Sequence, residues 1–116
     1  MKIYIAGPMT GLPDFNRPAF YGVMREISHA KVVPLNPAIL PDGLEQHEYM
    51  AICIEMVKIA DALVMLPGWE GSEGAFAEYT LAKKLGKRIL MMPEMSFFLD
   101  RVKAGKEEGE AACTTN

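Results

Sequence analysis

The chain is poor in the residues from which reactive and metal-binding sites are commonly built. Its 116 residues include two cysteines, two histidines and one tryptophan. Cys53 and Cys113 stand far apart, so no disulfide is expected in a reducing compartment, and no Cys/His spacing suits a zinc site. A strongly basic balance is also missing. Net charge is −3, and Lys and Arg gather only as Lys83-Lys84 and Lys87-Arg88, which speaks against a nucleic-acid polymer as partner. No apolar run reaches the length of a membrane span, and Met1-Lys2 leads directly into an apolar segment rather than a signal peptide. The phosphate-loop pattern and the dinucleotide pattern of glycines are both absent, so ATP hydrolysis and NAD chemistry have no support and no cofactor is expected. Neither a Ser-His-Asp nor a Cys-His arrangement suggests itself. His29 and His47 fall at expected helix ends.

What the chain does contain is alternation. Apolar strands are expected at 2–6, 31–35, 62–66 and 88–92, with helices from Asn16 to about Ala30, Glu45 to Ala60 and 73 to 85. Pro93 should stop the fourth strand, and Ser96 would cap a short last helix ending near Gly105. Strands apolar throughout, separated by helices, indicate a parallel sheet covered on both faces. The expected fold is therefore α/β, a flavodoxin-like (Rossmann-like) sheet of four to five strands in order 2-1-3-4. Residues 1–105 make one domain. Residues 106–116, polar and poor in apolar anchors, read as a mobile tail. The second helix is apolar almost all round. Tyr49, Ile52, Cys53, Met56 and Ile59 are expected to cover the sheet. Met50, Ile54 and Val57 then need another partner, either a larger core or a second subunit, and a homo-oligomer is the favoured reading.

The 2-1-3-4 order opens a crevice beyond the carboxyl ends of strands 1 and 3, where two glycine- and proline-marked loops meet: Gly7 to Asn16 and Pro67 to Gly74. Glu78 is the residue that stands out. At helical spacing it shares a stripe with Gly74, Ala75, Leu81 and Ala82, so a carboxylate points inward, which costs free energy unless it is paired or has a task. It could attack a sugar carbon or anchor a hydroxyl. Alternatively it is structural, bonded to a loop N–H or paired with Arg17 or Arg25. Ser72 and Gly74 begin the same helix, where free backbone N–H groups and the helix dipole favour an anion; Ser72 could equally be a plain N-cap. Trp69 and Tyr4 offer aromatic surface near the crevice, fit for a base or simply for packing.

The segment from Ile3 to Met9, followed by Gly71, Ser72, Gly74, Ala75, Glu78 and Ala82, resembles the nucleoside 2-deoxyribosyltransferase superfamily. Gly7 to Gly11, Asn36-Pro37 and Leu66 to Glu70 resemble more closely a short branch of unknown function carried by phages and prophages. The resemblance covers about residues 1–92. It implies cleavage of the N-glycosidic bond of a deoxynucleoside or its 5′-monophosphate, with Glu78 as nucleophile and Tyr4 orienting it. It also implies that Ser72 holds the phosphate, as in the branch that hydrolyses deoxynucleotides, where the transferases have aspartate. Substrate contacts are expected from Gly7, Pro8, Met9, Asn16, Asn36, Trp69, Ser72 and Gly74. One departure stands out. Cys53 occupies the place of a second-helix aspartate that assists the leaving base; Asp14, Glu70 or Glu73 could substitute from the loops.

The expected function is thus a nucleotide N-glycosidase or deoxyribosyltransferase acting on a small nucleotide or nucleoside, with hydrolysis preferred. It would work in the cytoplasm, that of the bacterial host if phage-encoded. The alternatives are a non-catalytic nucleotide-binding module, and an oligomeric interaction protein with a vestigial pocket.

Overall fold

A computed structural model describes residues 1–28 and 31–105. His29, the expected helix end at Ala30, Cys113 and the expected mobile tail at 106–116 lie outside the described residues. Four strands form one parallel sheet: β1 (Lys2–Ala6), β2 (Val33–Leu35), β3 (Ala62–Met65) and β4 (Arg88–Met91), in the order β2-β1-β3-β4. The helices are α1 (Arg17–Ile27), α2 (Gln46–Ile59), α3 (Glu73–Lys84) and α4 (Met92–Lys103). The expected four-strand order is the one observed. No helix among the described residues is long and apolar enough to cross a membrane.

The strands are apolar on both sides because both sides are covered. Ile3 and Ile5 of β1 pack with Phe20, Val23 and Ile27 of α1 and with Phe98, Leu99 and Val102 of α4. Tyr4 and Ala6 point the other way, toward Cys53 and Val57 of α2 and Ala82 of α3. Alternation along one central strand thus serves two separate cores. Register is fixed from Ile3 opposite Ala62 to Ala6 opposite Met65, and the Leu66 N–H adds a bond to the Ala6 carbonyl at 2.8 Å. Just beyond, the chain must leave β1 in very little space. A Cβ on Gly7 would lie 2.7 Å from the Cβ of Leu66, so glycine is required for the close approach.

Two local expectations fail for identifiable reasons. Helix α4 starts at Met92 rather than near Ser96. Pro93 falls in its first turn, where the missing N–H costs nothing, and Glu94 accepts a hydrogen bond from the Met91 N–H at 2.9 Å, closing the helix start. Asn16 precedes α1 but makes no side-chain cap; its Nδ2 donates to the Pro8 carbonyl at 3.0 Å instead.

The orientation of α2 is a third correction. Val57 is completely buried against the sheet beside Cys53, and Met50 lines the cleft described below. Of the stripe expected to meet a second subunit, Val57 therefore faces inward and Met50 faces the cleft, while Ile54 is half-buried. Ile52 and Ile59, expected to cover the sheet, are exposed. A helix that is apolar all round carries no amphipathic direction, so its rotation is set by packing on α3 and the sheet rather than by its own pattern.

Candidate functional site

The loops following β1 and β3 and the segment between β2 and α2 enclose a cleft of about 1080 Å³ at the carboxyl edge of the sheet. Its position is the one expected from the strand order. Tyr4 reaches it from the central strand, Glu78 from the second turn of α3, and Cys53 from α2.

The Tyr4 hydroxyl donates to Glu78 Oε2 at 2.7 Å, joining side chains 74 residues apart in the sequence. Tyr4 is fully buried and Glu78 is 6% exposed. The partner of the inward carboxylate is therefore the first-strand tyrosine, neither a loop N–H nor an arginine. Burial pushes the Glu78 carboxyl up from its ordinary value to about 7, and the Tyr4 hydrogen bond pulls in the opposite direction. The Tyr4 phenol is pushed well above its ordinary value, first by burial and then by the Glu78 charge, so it keeps its proton and remains a donor. Burial likewise lifts the Cys53 thiol to about 11, against a hydrogen bond with Tyr4. At neutral pH Cys53 is a thiol, neither a nucleophile nor a useful acid.

At the start of α3, Ser72 Oγ accepts a hydrogen bond from the Ala75 N–H at 3.3 Å, which is the N-cap reading of that serine. The hydroxyl hydrogen is left available to a ligand, since an acceptor bond does not use it. Ser72 and Gly74 line the cleft, as do Gly7, Pro8 and Met9.

Asn16, Asn36 and Trp69 stand outside the lining. Asn16 braces the first loop through Pro8, as described. Asn36 is buried; its Oδ1 accepts from the Ala38 N–H at 2.9 Å and its Nδ2 donates to Met24 Sδ, so it builds the turn after β2. The Trp69 ring packs 4.5 Å from that of Tyr79 and 6.0 Å from that of Phe76, on the flank of α3. Of the three loop carboxylates expected to stand in for the second-helix aspartate, Glu73 lines the cleft, whereas Glu70 does not and Asp14 is engaged by Arg17.

Residues that the sequence did not single out complete the other half of the lining. Leu12, Phe15, Leu40 and Leu44 make an apolar wall, with Arg17 and Asp42 at its rim. All but Arg17, the first residue of α1, come from connecting segments, so no periodicity flags them; the proline and glycine content of those segments was the available signal. Among the described residues no group of three or more His, Cys, Asp and Glu side chains is arranged to hold a metal.

Comparison with known proteins gives a family and a structural likeness. The family described as a domain of unknown function, DUF4406, matches residues 1–91. A solved structure described as 2-desoxiribosyltransferase from Leishmania mexicana superimposes with a TM-score of 0.63 at 28% identity, over 78% of this chain and 62% of that one. The present chain thus spans less than two thirds of that enzyme's length. No match is found among curated proteins.

Proposed function

The chain belongs to the DUF4406 family, and we propose that it cleaves the N-glycosidic bond of a deoxynucleotide or deoxynucleoside. The observation that carries the proposal is the buried Tyr4–Glu78 bond at a cleft that also takes in the start of the same helix at Ser72. A buried carboxylate held by one donor, open to a ligand-sized cavity, is costly to keep as a purely structural device. The likeness to a 2-desoxiribosyltransferase supports the same chemistry.

In this reading the Glu78 carboxylate attacks the anomeric carbon while the bond to the base breaks, and the electron pair of that bond leaves with the base. The resulting glycosyl ester is then opened by water, or by another base in transfer. Tyr4 donates to the carboxylate and keeps it aimed. With its carboxyl raised to about 7, Glu78 is only partly ionised at neutral pH, so reaction begins from the ionised fraction. Ser72 and the first N–H groups of α3 receive an anionic substituent of the substrate. The Cys53 thiol is too weak an acid to protonate the leaving base. That favours a second reading, a nucleotide-binding module in which Glu78 anchors a sugar hydroxyl.

The test is incubation with a panel of deoxynucleoside 5′-monophosphates and deoxynucleosides, with free base measured by chromatography. Base release that vanishes in Glu78→Gln supports the enzyme. Tight binding without release by the wild type refutes it in favour of the binding module.

A further inference from the structure

The cleft carries a charge problem that its lining also answers. Asp42, Glu73 and Glu78 present carboxylates to it, and among the described residues Arg17 is the one lining side chain that bears a positive charge. A substrate bearing a phosphate monoester would enter against these carboxyl groups with only the Ser72 hydroxyl and the dipole at the start of α3 to receive it, unless Arg17 takes part.

Arg17 is built to take part. Its Nη1 donates to Asp14 Oδ1 at 3.0 Å, its Nη2 donates to Asp42 Oδ1, and its guanidinium lies 5.1 Å from the centre of the Phe15 ring. The pairing is asymmetric. The arginine side chain is 23% exposed, whereas those of Asp14 and Asp42 are 62% and 75% exposed. The cation is therefore the fixed member and the carboxylates are the solvated ones. Each aspartate is engaged through a single oxygen, leaving three of the five guanidinium N–H donors for other acceptors. Exposed pairs of this kind contribute little to stability and exchange readily, while a phosphate can accept two parallel bonds from the same fork. The backbone leading to Arg17 is also specialised: Asp14, Phe15 and Asn16 all have positive φ (51°, 52° and 61°), a conformation that costs each of these side-chain-bearing residues free energy. That run places the Phe15 ring against the guanidinium and sets the Asp14 carboxylate beside it.

We propose that Arg17 is the residue by which the cleft selects a substrate bearing a phosphate monoester, with Asp14 and Asp42 serving as exchangeable counter-ions until that substrate arrives. The inference rests on the nucleotide reading above and adds its charge selectivity. Binding then swaps a carboxylate for a phosphate at an already oriented cation, so removing Asp42 strengthens the preference for phosphate while removing Arg17 weakens it. A merely structural Arg17–Asp42 bridge predicts that both changes act in the same direction.

The experiment is calorimetric titration of wild type, Arg17→Gln and Asp42→Asn with deoxynucleoside 5′-monophosphates and the matching deoxynucleosides, reading the ratio of the two affinities. Wild type is expected to prefer the monophosphate. In Arg17→Gln the ratio falls by about 10–100-fold, the size of a lost charge-assisted hydrogen bond, and in Asp42→Asn it rises severalfold. An unchanged ratio in Arg17→Gln, or a fall in Asp42→Asn, overturns the proposal. Absence of any binding to wild type overturns the nucleotide reading as well. Continued base release with an unchanged ratio overturns the role of Arg17 alone.

Discussion

Replacing Glu78 by Gln should make the protein more stable, and only above the pH at which the carboxylate would ionise. The unfolded chain releases this proton near the ordinary value of 4.5, while the folded protein holds it to about 7 because the group is buried. Between those values the folded state binds more protons than the unfolded one, so the contribution of Glu78 to stability falls as pH rises and is fully lost above about 7. The displacement corresponds to about 3 kcal/mol at roughly 1.4 kcal/mol per unit. For a domain of this size, with an unfolding entropy of about 0.24 kcal/mol/K, that is about 12 °C in Tm. Glutamine fills nearly the same volume and still offers Tyr4 an acceptor oxygen, so little is lost elsewhere. Denaturant unfolding or calorimetry of both proteins at pH 4.5 and pH 8 gives the answer. The two should lie close at pH 4.5, and the variant should be the more stable by about 3 kcal/mol at pH 8. A difference independent of pH would refute the account of Glu78 as a buried carboxyl that ionises at a cost.

Other consequences are open to measurement. Tyr4→Phe removes the donor that favours Glu78 ionisation; the rising limb of the pH–rate profile should move to higher pH and the rate at pH 7 fall by about tenfold, whereas an unmoved limb would separate Tyr4 from the carboxylate. Gly7→Ala forces a methyl group onto Leu66 and should cost about 1–3 kcal/mol; an unchanged unfolding midpoint would show that the close approach is not required. Self-association is expected still, with Ile52 and Ile59 now the outward apolar residues of α2. Light scattering should report an assembly that Ile59→Glu disperses, and a wild-type monomer at micromolar concentration would contradict it.

The parts of this molecule that were legible in the sequence are those governed by repetition. The apolar runs 2–6 and 62–66 identified the two central strands, and the 3.6-residue period of α3 marked Glu78 as inward before any partner was known. Where two signals competed, the reading went astray: Pro93 looked like a strand stop, although a proline in the first turn is equally a helix start and Glu94 completes it. Helix α2 carried too much apolar surface to reveal its rotation. The Arg17–Asp42 pair joins the first residue of α1 to a loop 25 residues on and had no local signature at all. Nor did the positive φ angles at Asp14, Phe15 and Asn16, since none of the three is glycine. The Tyr4–Glu78 contact came from the family resemblance rather than from spacing, because no local rule links side chains so far apart.

That separation bears on how the site comes into being. Tyr4 lies in a central strand 74 residues ahead of its partner, so its hydroxyl has no acceptor until residue 78 has emerged and α3 has docked. The pair cannot preassemble in any fragment that lacks α3, and a ligand bound to it bears on both β1 and α3. A ligand held at this pair should therefore protect the whole β1–β3 core from hydrogen exchange, slowing the amides of Ile3 to Ala6 as strongly as those of the loops that touch it.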